Sequence, residues 1–163
     1  MKKILIVLFV LLLSLGTGCS KKEKYKDYTY DNLTFKLPES QIVQKDDLQG
    51  YDFVYDNQEI AIFGIKETKE SLATLGYEGI KLAEYADLLI SLYQVENISK
   101  EVKGDHVVFS YVTGTESGDF YYTIGIYENA NEFWIVNYAC AVENRSKYES
   151  LFKAWADLVT VKQ

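Results

Sequence analysis

The run Phe133-Trp134-Ile135-Val136-Asn137-Tyr138-Ala139-Cys140-Ala141-Val142 predicts the longest β-strand of this chain, with apolar residues on both of its faces. Two further strand patterns precede it, at His106–Thr113 and Phe120–Tyr127. The intervening segments Gly114–Gly118 and Glu128–Asn131 are short and polar. Because consecutive strands with short loops tend to pair with one another, we expect an antiparallel meander.

Helical patterns follow and precede this meander. Ser146 and Glu149 have the spacing of a capping box, which predicts a helix start. The helix would bury residues at spacings of three and four: Tyr148, Leu151, Phe152, Trp155 and Leu158. Earlier in the chain, Thr68 can cap a short helix through Leu75. A longer helix is predicted at Ile80–Tyr93, with Leu82, Tyr85, Ala86, Leu89, Leu92 and Tyr93 on one face.

Three more strands are predicted in the first half of the chain. Leu33–Leu37 ends at the single proline, Pro38, which has no N–H to donate to a sheet. Tyr51–Tyr55 and Glu59–Ile65 are joined by a turn at Asp56-Asn57. Strands with amphipathic helices between and after them predict an α+β sandwich, an antiparallel β-sheet flanked by helices. Whether the middle helices and the last helix share one sheet face or cover opposite faces stays open.

Four of these segments form a recognisable pattern: the strand Tyr30–Pro38, Tyr85-Ala86 in the middle helix, Phe133-Trp134-Ile135-Val136, and the last-helix residues Tyr148, Phe152 and Trp155. Together they resemble the PsbP-like fold. The group includes photosystem PsbP, a nuclear Ran-binding relative in yeast, and bacterial envelope lipoproteins of the DcrB type. The resemblance implies an antiparallel sheet flanked by helices. It implies no catalytic or binding residue, because members of one fold perform different functions.

The N-terminus indicates export and lipid attachment. Lys2 and Lys3 precede the apolar run Ile4–Leu15, and Gly16-Thr17-Gly18 then supplies the small residues of a signal-peptidase site. Cys19 follows directly, which resembles the lipobox of bacterial lipoproteins; Gly16 stands where that motif usually has Leu. The alternative is an ordinary secretory signal with an incidental cysteine. An uncleaved anchor fits poorly, since a bilayer-spanning helix needs about 20 apolar residues.

These observations divide the chain into three parts. Residues 1–18 are predicted to be a lipoprotein signal peptide, residues 19–27 a lipidated Cys19 with a polar tether, and residues 28–163 a single α+β domain. We therefore expect the protein at the cell membrane, on the extracytoplasmic face, held there through the lipid on Cys19. An envelope protein is a further candidate partner.

Composition excludes several functions. Net charge is -7 over 163 residues, and loss of Lys2 and Lys3 would make it -9, which argues against nucleic-acid binding. One histidine, His106, and one spare cysteine, Cys140, argue against a zinc site. The chain has no P-loop, G-x-S-x-G or dinucleotide motif, so no metal, no cofactor and no enzyme activity is predicted.

Tyrosine is the remaining compositional feature, with 14 residues. Tyr121 and Tyr127 share a predicted strand face with the small residues Thr123 and Gly125, which suggests a shallow ligand-binding groove. The alternative is that strands simply favour tyrosine.

Three functions follow in order of preference. The first is a non-enzymatic envelope lipoprotein that binds a partner or assists an assembly. The second is a small-ligand or glycan-binding module with a tyrosine-lined groove. The third is an unrecognised hydrolase that uses acidic residues or Cys140.

Overall fold

Ten strands and three helices are present in the part of the chain that the computed structural model describes, residues 24–39, 43–44, 50–95, 98–115 and 118–162. The strands are β1 Tyr25–Tyr30, β2 Leu33–Pro38, β3 Val43–Gln44, β4 Phe53–Asp56, β5 Ile60–Thr68, β6 Glu101–Lys103, β7 His106–Thr115, β8 Gly118–Glu128, β9 Glu132–Ala141 and β10 Thr160–Val161. The helices are α1 Lys69–Thr74, α2 Leu82–Leu92 and α3 Arg145–Ala156, and a 3-10 turn at Val142–Asn144 precedes α3.

The strands form two antiparallel sheets. The larger has seven strands in the order β3-β4-β5-β9-β8-β7-β6, and the smaller has three in the order β1-β2-β10. Strands β7, β8 and β9 pair in succession, so the predicted meander is confirmed. β9 lies between β5 and β8, with apolar side chains on both faces, as its sequence predicts.

The two faces of the larger sheet are covered differently. α1 and α2 cover one face through Leu72, Tyr85 and Leu89, which pack on the sheet residues Ile124 and Phe133. We call this the α2 face. α3 and the smaller sheet cover the other face, the α3 face, whose core includes Phe35, Phe53, Trp134, Tyr138, Phe152 and Trp155. The middle and last helices thus lie on opposite faces, which answers the question that the sequence left open.

The smaller sheet is fastened to the larger one at the turn between β1 and β2. Trp134 Nε1 donates to Asn32 Oδ1 at 2.8 Å, and Asn32 Nδ2 donates to Glu132 Oε1 at 2.5 Å. Lys66 Nζ in β5 also lies 2.6 Å from Asp31 Oδ2. These contacts fix the end of β1 at Tyr30 against the start of β9.

The predicted helix starts and the predicted buried faces of the helices are confirmed only in part. Thr68 caps α1 as predicted, accepting from Ser71 N–H at 3.1 Å. The capping box at Ser146 is wrong: α3 begins at Arg145 because the 3-10 turn leads straight into it, and Glu149 pairs with Arg145 at 3.0 Å. Leu92, predicted on the apolar face of its helix, and Leu158, predicted to be buried, are 64% and 46% exposed because the helices end there.

The domain begins earlier than predicted. β1 pairs with β2 from Tyr25, with Tyr25 opposite Pro38 and Asp27 opposite Lys36. Residues 25–27, assigned above to the tether, therefore belong to the domain. Residues 1–18 and Cys19 lie outside the described residues, so the signal peptide and the lipidation site stay predictions.

Candidate binding cleft

The α2 face is only partly covered by its helix. The 11 residues of α2 span about 16 Å, whereas the 10 residues of β7 or β9 span about 33 Å. α2 starts near the beginning of β9 and ends at its C-cap residue, Tyr93, whose ring lies 6.0 Å from that of Tyr111 in β7. Beyond this point no helix of the described residues covers the sheet.

A tyrosine-lined cleft occupies the uncovered part of the sheet. Its walls carry Tyr51, Tyr93, Tyr111 and Tyr122, and its volume is about 330 Å³. Tyr111 and Tyr122 are directly opposite each other in β7 and β8, and their rings stack at 5.2 Å between centroids with 14° between planes. This stacking is the cross-strand pairing that stabilises antiparallel sheets.

The floor of the cleft is apolar except for one amide. Phe63 and Ile135 form part of it, and Tyr51 packs on Phe63 with 4.5 Å between ring centroids. Asn137 in β9 lies there at 8% exposure. Its Nδ2 makes a long hydrogen bond of 3.5 Å with the Phe63 carbonyl oxygen. An amide buried with so weak a partner retains capacity for a further hydrogen bond.

Three of the cleft hydroxyls, those of Tyr93, Tyr111 and Tyr122, stay protonated at neutral pH. Burial, and then the neighbouring Tyr93, raises the pKa of Tyr111 well above its usual range. Burial, and then the neighbouring Tyr51, also raises the pKa values of Tyr93 and Tyr122. No hydrogen bond joins any of these four hydroxyls to another residue in the described part of the chain. The described residues of the cleft therefore offer neutral hydrogen-bond donors and acceptors.

The groove predicted at Tyr121 and Tyr127 is wrong, because both rings are buried in the core of the α3 face. Tyr121 is 1% exposed and Tyr127 is 3% exposed. The Tyr127 ring covers Gly125, and its hydroxyl donates to the Ala156 carbonyl oxygen at 2.8 Å. The space that the glycine leaves is thus filled by the neighbouring tyrosine of the same strand.

A second cavity lies at the opposite end of α2, with a volume of about 560 Å³. It is lined by two lysines, Lys69 and Lys81. Lys69 is already engaged: its Nζ lies 2.6 Å from Glu128 Oε1 and 2.7 Å from the Asn129 carbonyl oxygen. Lys69 Nζ also sits 5.1 Å from the centre of the Phe133 ring. A charge held by three internal partners is a structural contact, so we regard the tyrosine cleft as the better candidate site.

The residues of a hypothetical cysteine–histidine pair lie far apart. Cys140 pairs with Tyr121 in β8, whereas His106 pairs with Tyr127 six residues further along the same strand. At about 3.3 Å per residue, this separates them by about 20 Å. Cys140 is 2% exposed on the α3 face, and burial raises the pKa of its thiol to about 11. His106 instead contacts Asp105 at 2.8 Å and Asp157 at 3.1 Å.

The described residues contain neither a metal-binding cluster nor a membrane-spanning helix. Within ranges 24–39, 43–44, 50–95, 98–115 and 118–162, no three acidic, histidine or cysteine side chains are grouped to hold a metal ion. Among the helices of that same part, none is long and apolar enough to cross a membrane.

Comparison with solved structures identifies the fold. The chain superimposes on the solution structure of cyanobacterial PsbP from Synechocystis sp. PCC 6803 with a TM-score of 0.56 at 15% identity, covering 91% of this chain and 99% of that one. The fold is PsbP-like. A Pseudomonas aeruginosa protein of unknown function matches with a TM-score of 0.44 at 12% identity, over 85% of this chain and 98% of that one, a likeness too distant to argue from. No family model matches this chain, and no curated protein matches it in sequence.

The resemblance to the PsbP-like fold that the sequence suggested is thereby confirmed, and so is the α+β class. A match at this identity establishes the fold and not the function. The tyrosine cleft was missed because strand alternation alone does not say where a helix stops. One feature of the sequence did point to the cleft. Strand alternation places Tyr122 on the same face as Ile124 and opposite Tyr121.

Proposed function

We propose that this protein is a lipid-anchored, extracytoplasmic lipoprotein whose PsbP-like domain has a binding role in the cell envelope rather than a catalytic one. The observation that carries the binding role is the tyrosine cleft. It combines exposed aromatic surface with hydroxyls that have no partner in the described part of the chain. Its walls and floor contain tyrosine, phenylalanine, isoleucine, threonine and asparagine, none of which is charged at neutral pH.

The anchor rests on the sequence. Cys19 after Ile4–Leu15 and Gly16-Thr17-Gly18 favours lipid attachment at the cysteine sulfur. Only Ser20–Lys24 separate Cys19 from Tyr25, the first residue of β1. Five residues reach at most about 18 Å when fully extended. A lipid on Cys19 would therefore hold the folded domain against the membrane surface.

A membrane fractionation experiment tests the anchor. Cys19→Ala should either release the protein from the membrane fraction or leave the precursor uncleaved, and it should abolish labelling by a palmitate analogue. Ser20→Ala is the matched control, since it changes the adjacent residue and keeps the thiol; it should fractionate as the wild type does. Normal processing and membrane retention of the Cys19→Ala protein would refute lipid attachment.

Catalysis is the competing function. The position of Cys140 argues against a hydrolase that uses this cysteine at the cleft. The thiol of Cys140 is buried on the α3 face, whereas the cleft opens on the α2 face. A hydrolase that uses this cysteine would need an opening at a different place from the cleft.

A further inference from the structure

We propose that the tyrosine cleft binds a neutral sugar, a polyhydroxylated ring of one or two residues. This inference rests on the binding role proposed above and names the ligand class for the same site. It is argued from the charge of the cleft, the arrangement of its rings and the hydrogen-bonding groups that it leaves without partners.

The first argument is charge. None of the described residues that line the cleft is ionised at neutral pH, because the polar ones are tyrosines, Thr113 and Asn137. The chain as a whole carries a net charge of -7. Because the described lining has no cation and the protein is acidic, the negative charge of an anionic ligand would not be neutralised there. The ligand that fits is uncharged.

The second argument is ring orientation, which separates a sugar from an organic cation. A cage for a cation needs aromatic faces turned toward the ligand. Here Tyr122 stacks on Tyr111 at 14°, and Tyr111 stacks on Phe109 at 22°. The faces of this row are therefore directed at one another. What the row presents to a ligand is ring edges and hydroxyls.

The third argument is hydrogen bonding. Four tyrosine hydroxyls with no partner among the described residues surround one buried amide, Asn137, at 8% exposure. Each hydroxyl can both donate and accept, as can each hydroxyl of a sugar. Tyr93 is 38% exposed, so part of its ring remains available to the CH groups of a sugar. The volume of about 330 Å³ is at the lower end of the range of ligand pockets, about 300–1,000 Å³.

The cleft lies at the end of the sheet from which the predicted anchor emerges. Tyr30 at the end of β1 contacts Trp134 near the start of β9, with 6.0 Å between ring centroids. Tyr28 contacts Tyr55 of β4. Across β5, Tyr55 is in register with Tyr138, which lies four residues after Trp134 in β9. Followed back to Tyr25, β1 therefore runs toward the end of β9.

Tyr122 is opposite Ala139, also near the end of β9. The cleft and the start of β1 thus lie at the same end of the domain, on opposite faces of the larger sheet. A sugar could reach the cleft either free in solution or as the headgroup of a membrane glycolipid. The chemistry recognised is the same in both cases.

The test is a titration of the full mature protein in nanodiscs with neutral disaccharides, such as maltose, cellobiose and N,N′-diacetylchitobiose. A second arm uses neutral vesicles that contain a diglycosyl diacylglycerol. Tyr122→Phe removes one cleft hydroxyl and keeps the ring. It should weaken binding about three- to tenfold, the effect of one neutral hydrogen bond. Tyr77→Phe, at an exposed tyrosine outside the cleft, is the matched control and should bind as the wild type does.

The outcomes are distinct. Binding in either arm supports the proposal: the soluble arm alone identifies a free sugar, the vesicle arm alone identifies a glycolipid headgroup, and both arms together identify the sugar chemistry that the two share. No binding in either arm overturns it, as does equal affinity of Tyr122→Phe and wild type, or stronger binding of tetramethylammonium than of any sugar. Repeating the soluble arm with Cys19→Ala separates the anchor proposal from the sugar proposal. If only the anchor is lost, the affinity for sugar stays unchanged. If only sugar binding is lost, membrane retention stays unchanged.

Discussion

Tyr121 and Tyr122 are adjacent in β8, yet their rings lie on opposite faces of the larger sheet. Tyr121 is 1% exposed and stacks on Phe152 of α3, with 6.4 Å between centroids and 4° between planes. Tyr122 stacks on Tyr111 at the rim of the cleft. Two residues of the same type in consecutive positions thus have a structural role and a proposed binding role.

This pair supports a first prediction. Tyr121→Ala should lower the free energy of unfolding by about 3–5 kcal/mol, because it removes a fully buried aromatic ring. Tyr122→Ala should cost about 1 kcal/mol, since its ring is only partly buried. Urea denaturation of both variants checks this. Equal losses would mean that Tyr122 is as much a core residue as Tyr121, and would weaken the assignment of the cleft.

A second prediction concerns Gly125. A β-carbon built at this position would overlap the Tyr127 phenol, lying 2.7 Å from its Cζ. The ring cannot move easily, because it is 3% exposed and its hydroxyl is bonded to Ala156. Gly125→Ala should therefore destabilise the protein by more than about 2 kcal/mol, in the range of overpacked cores. The measurement is the urea midpoint.

Gly114→Ala is the control for that variant. Gly114 is also in a strand, but among the described residues its added β-carbon would meet only the Asp119 side chain, at 3.1 Å. Because that side chain is exposed, it can rotate away, and the loss should stay below about 1 kcal/mol. Similar destabilisation of the two variants would contradict the packing described for Tyr127.

These residues show which features of the fold can be predicted from the sequence. Alternation along Phe120–Tyr127 correctly separates Tyr121 from Tyr122, because side chains point to opposite faces in every strand. It does not say which face is covered. Gly125 suggests an opening in the sheet, whereas the ring of Tyr127 fills it. The site depends on the point at which α2 stops over the strands, which is set by packing between distant segments.

The last helix illustrates the same limit. Tyr148, Phe152 and Trp155 are buried, as their spacing predicts. Ser146 and Glu149 have the spacing of a capping box, but the 3-10 turn before α3 places Ser146 inside the helix. Periodic burial can be predicted because it repeats along the whole helix. A helix start depends on one local backbone geometry and is more easily misplaced.

A third prediction uses Asp157, the C-cap residue of α3. Its Oδ1 lies 2.8 Å from Lys103 Nζ and 3.1 Å from His106 Nε2. Burial pushes the pKa of Asp157 upward, but the hydrogen bonds from Lys103 and His106 outweigh it and hold the pKa below its ordinary 3.8. A group whose pKa is lower in the folded protein stabilises the fold above its unfolded pKa. That stabilisation is lost as the pH falls through the folded pKa.

Asp157→Asn should therefore lower the free energy of unfolding at neutral pH, by no more than about 1 kcal/mol because the carboxylate is 44% exposed. The difference from wild type should shrink as the pH falls below about 4. Thermal unfolding across this pH range measures both. Asp27→Asn, in an exposed pair with Lys36 at 3.7 Å, is the control and should change stability little. A difference for Asp157→Asn that does not vary with pH would contradict the ion pair.

The fourth prediction concerns Cys140. Its side chain lies with Trp134, Val136 and Tyr138 in the core of the α3 face. Burial, and then the charge of Glu143, raises the pKa of the thiol to about 11. A thiol that is both buried and protonated reacts slowly, because the thiolate is the nucleophile.

In a Cys19→Ala background, where Cys140 is the single thiol, a water-soluble disulfide reagent should label the protein only after urea is added. The labelling curve should follow the unfolding curve, because opening of the core is what exposes the sulfur. Val102→Cys in the same background is the control: Val102 is 56% exposed in β6, so its thiol should react at once under native conditions. Rapid native labelling of Cys140 itself at neutral pH would mean an open site with a lowered pKa on the α3 face. That result would favour thiol chemistry over the non-enzymatic function, because a reactive thiol needs both access and a stabilised thiolate.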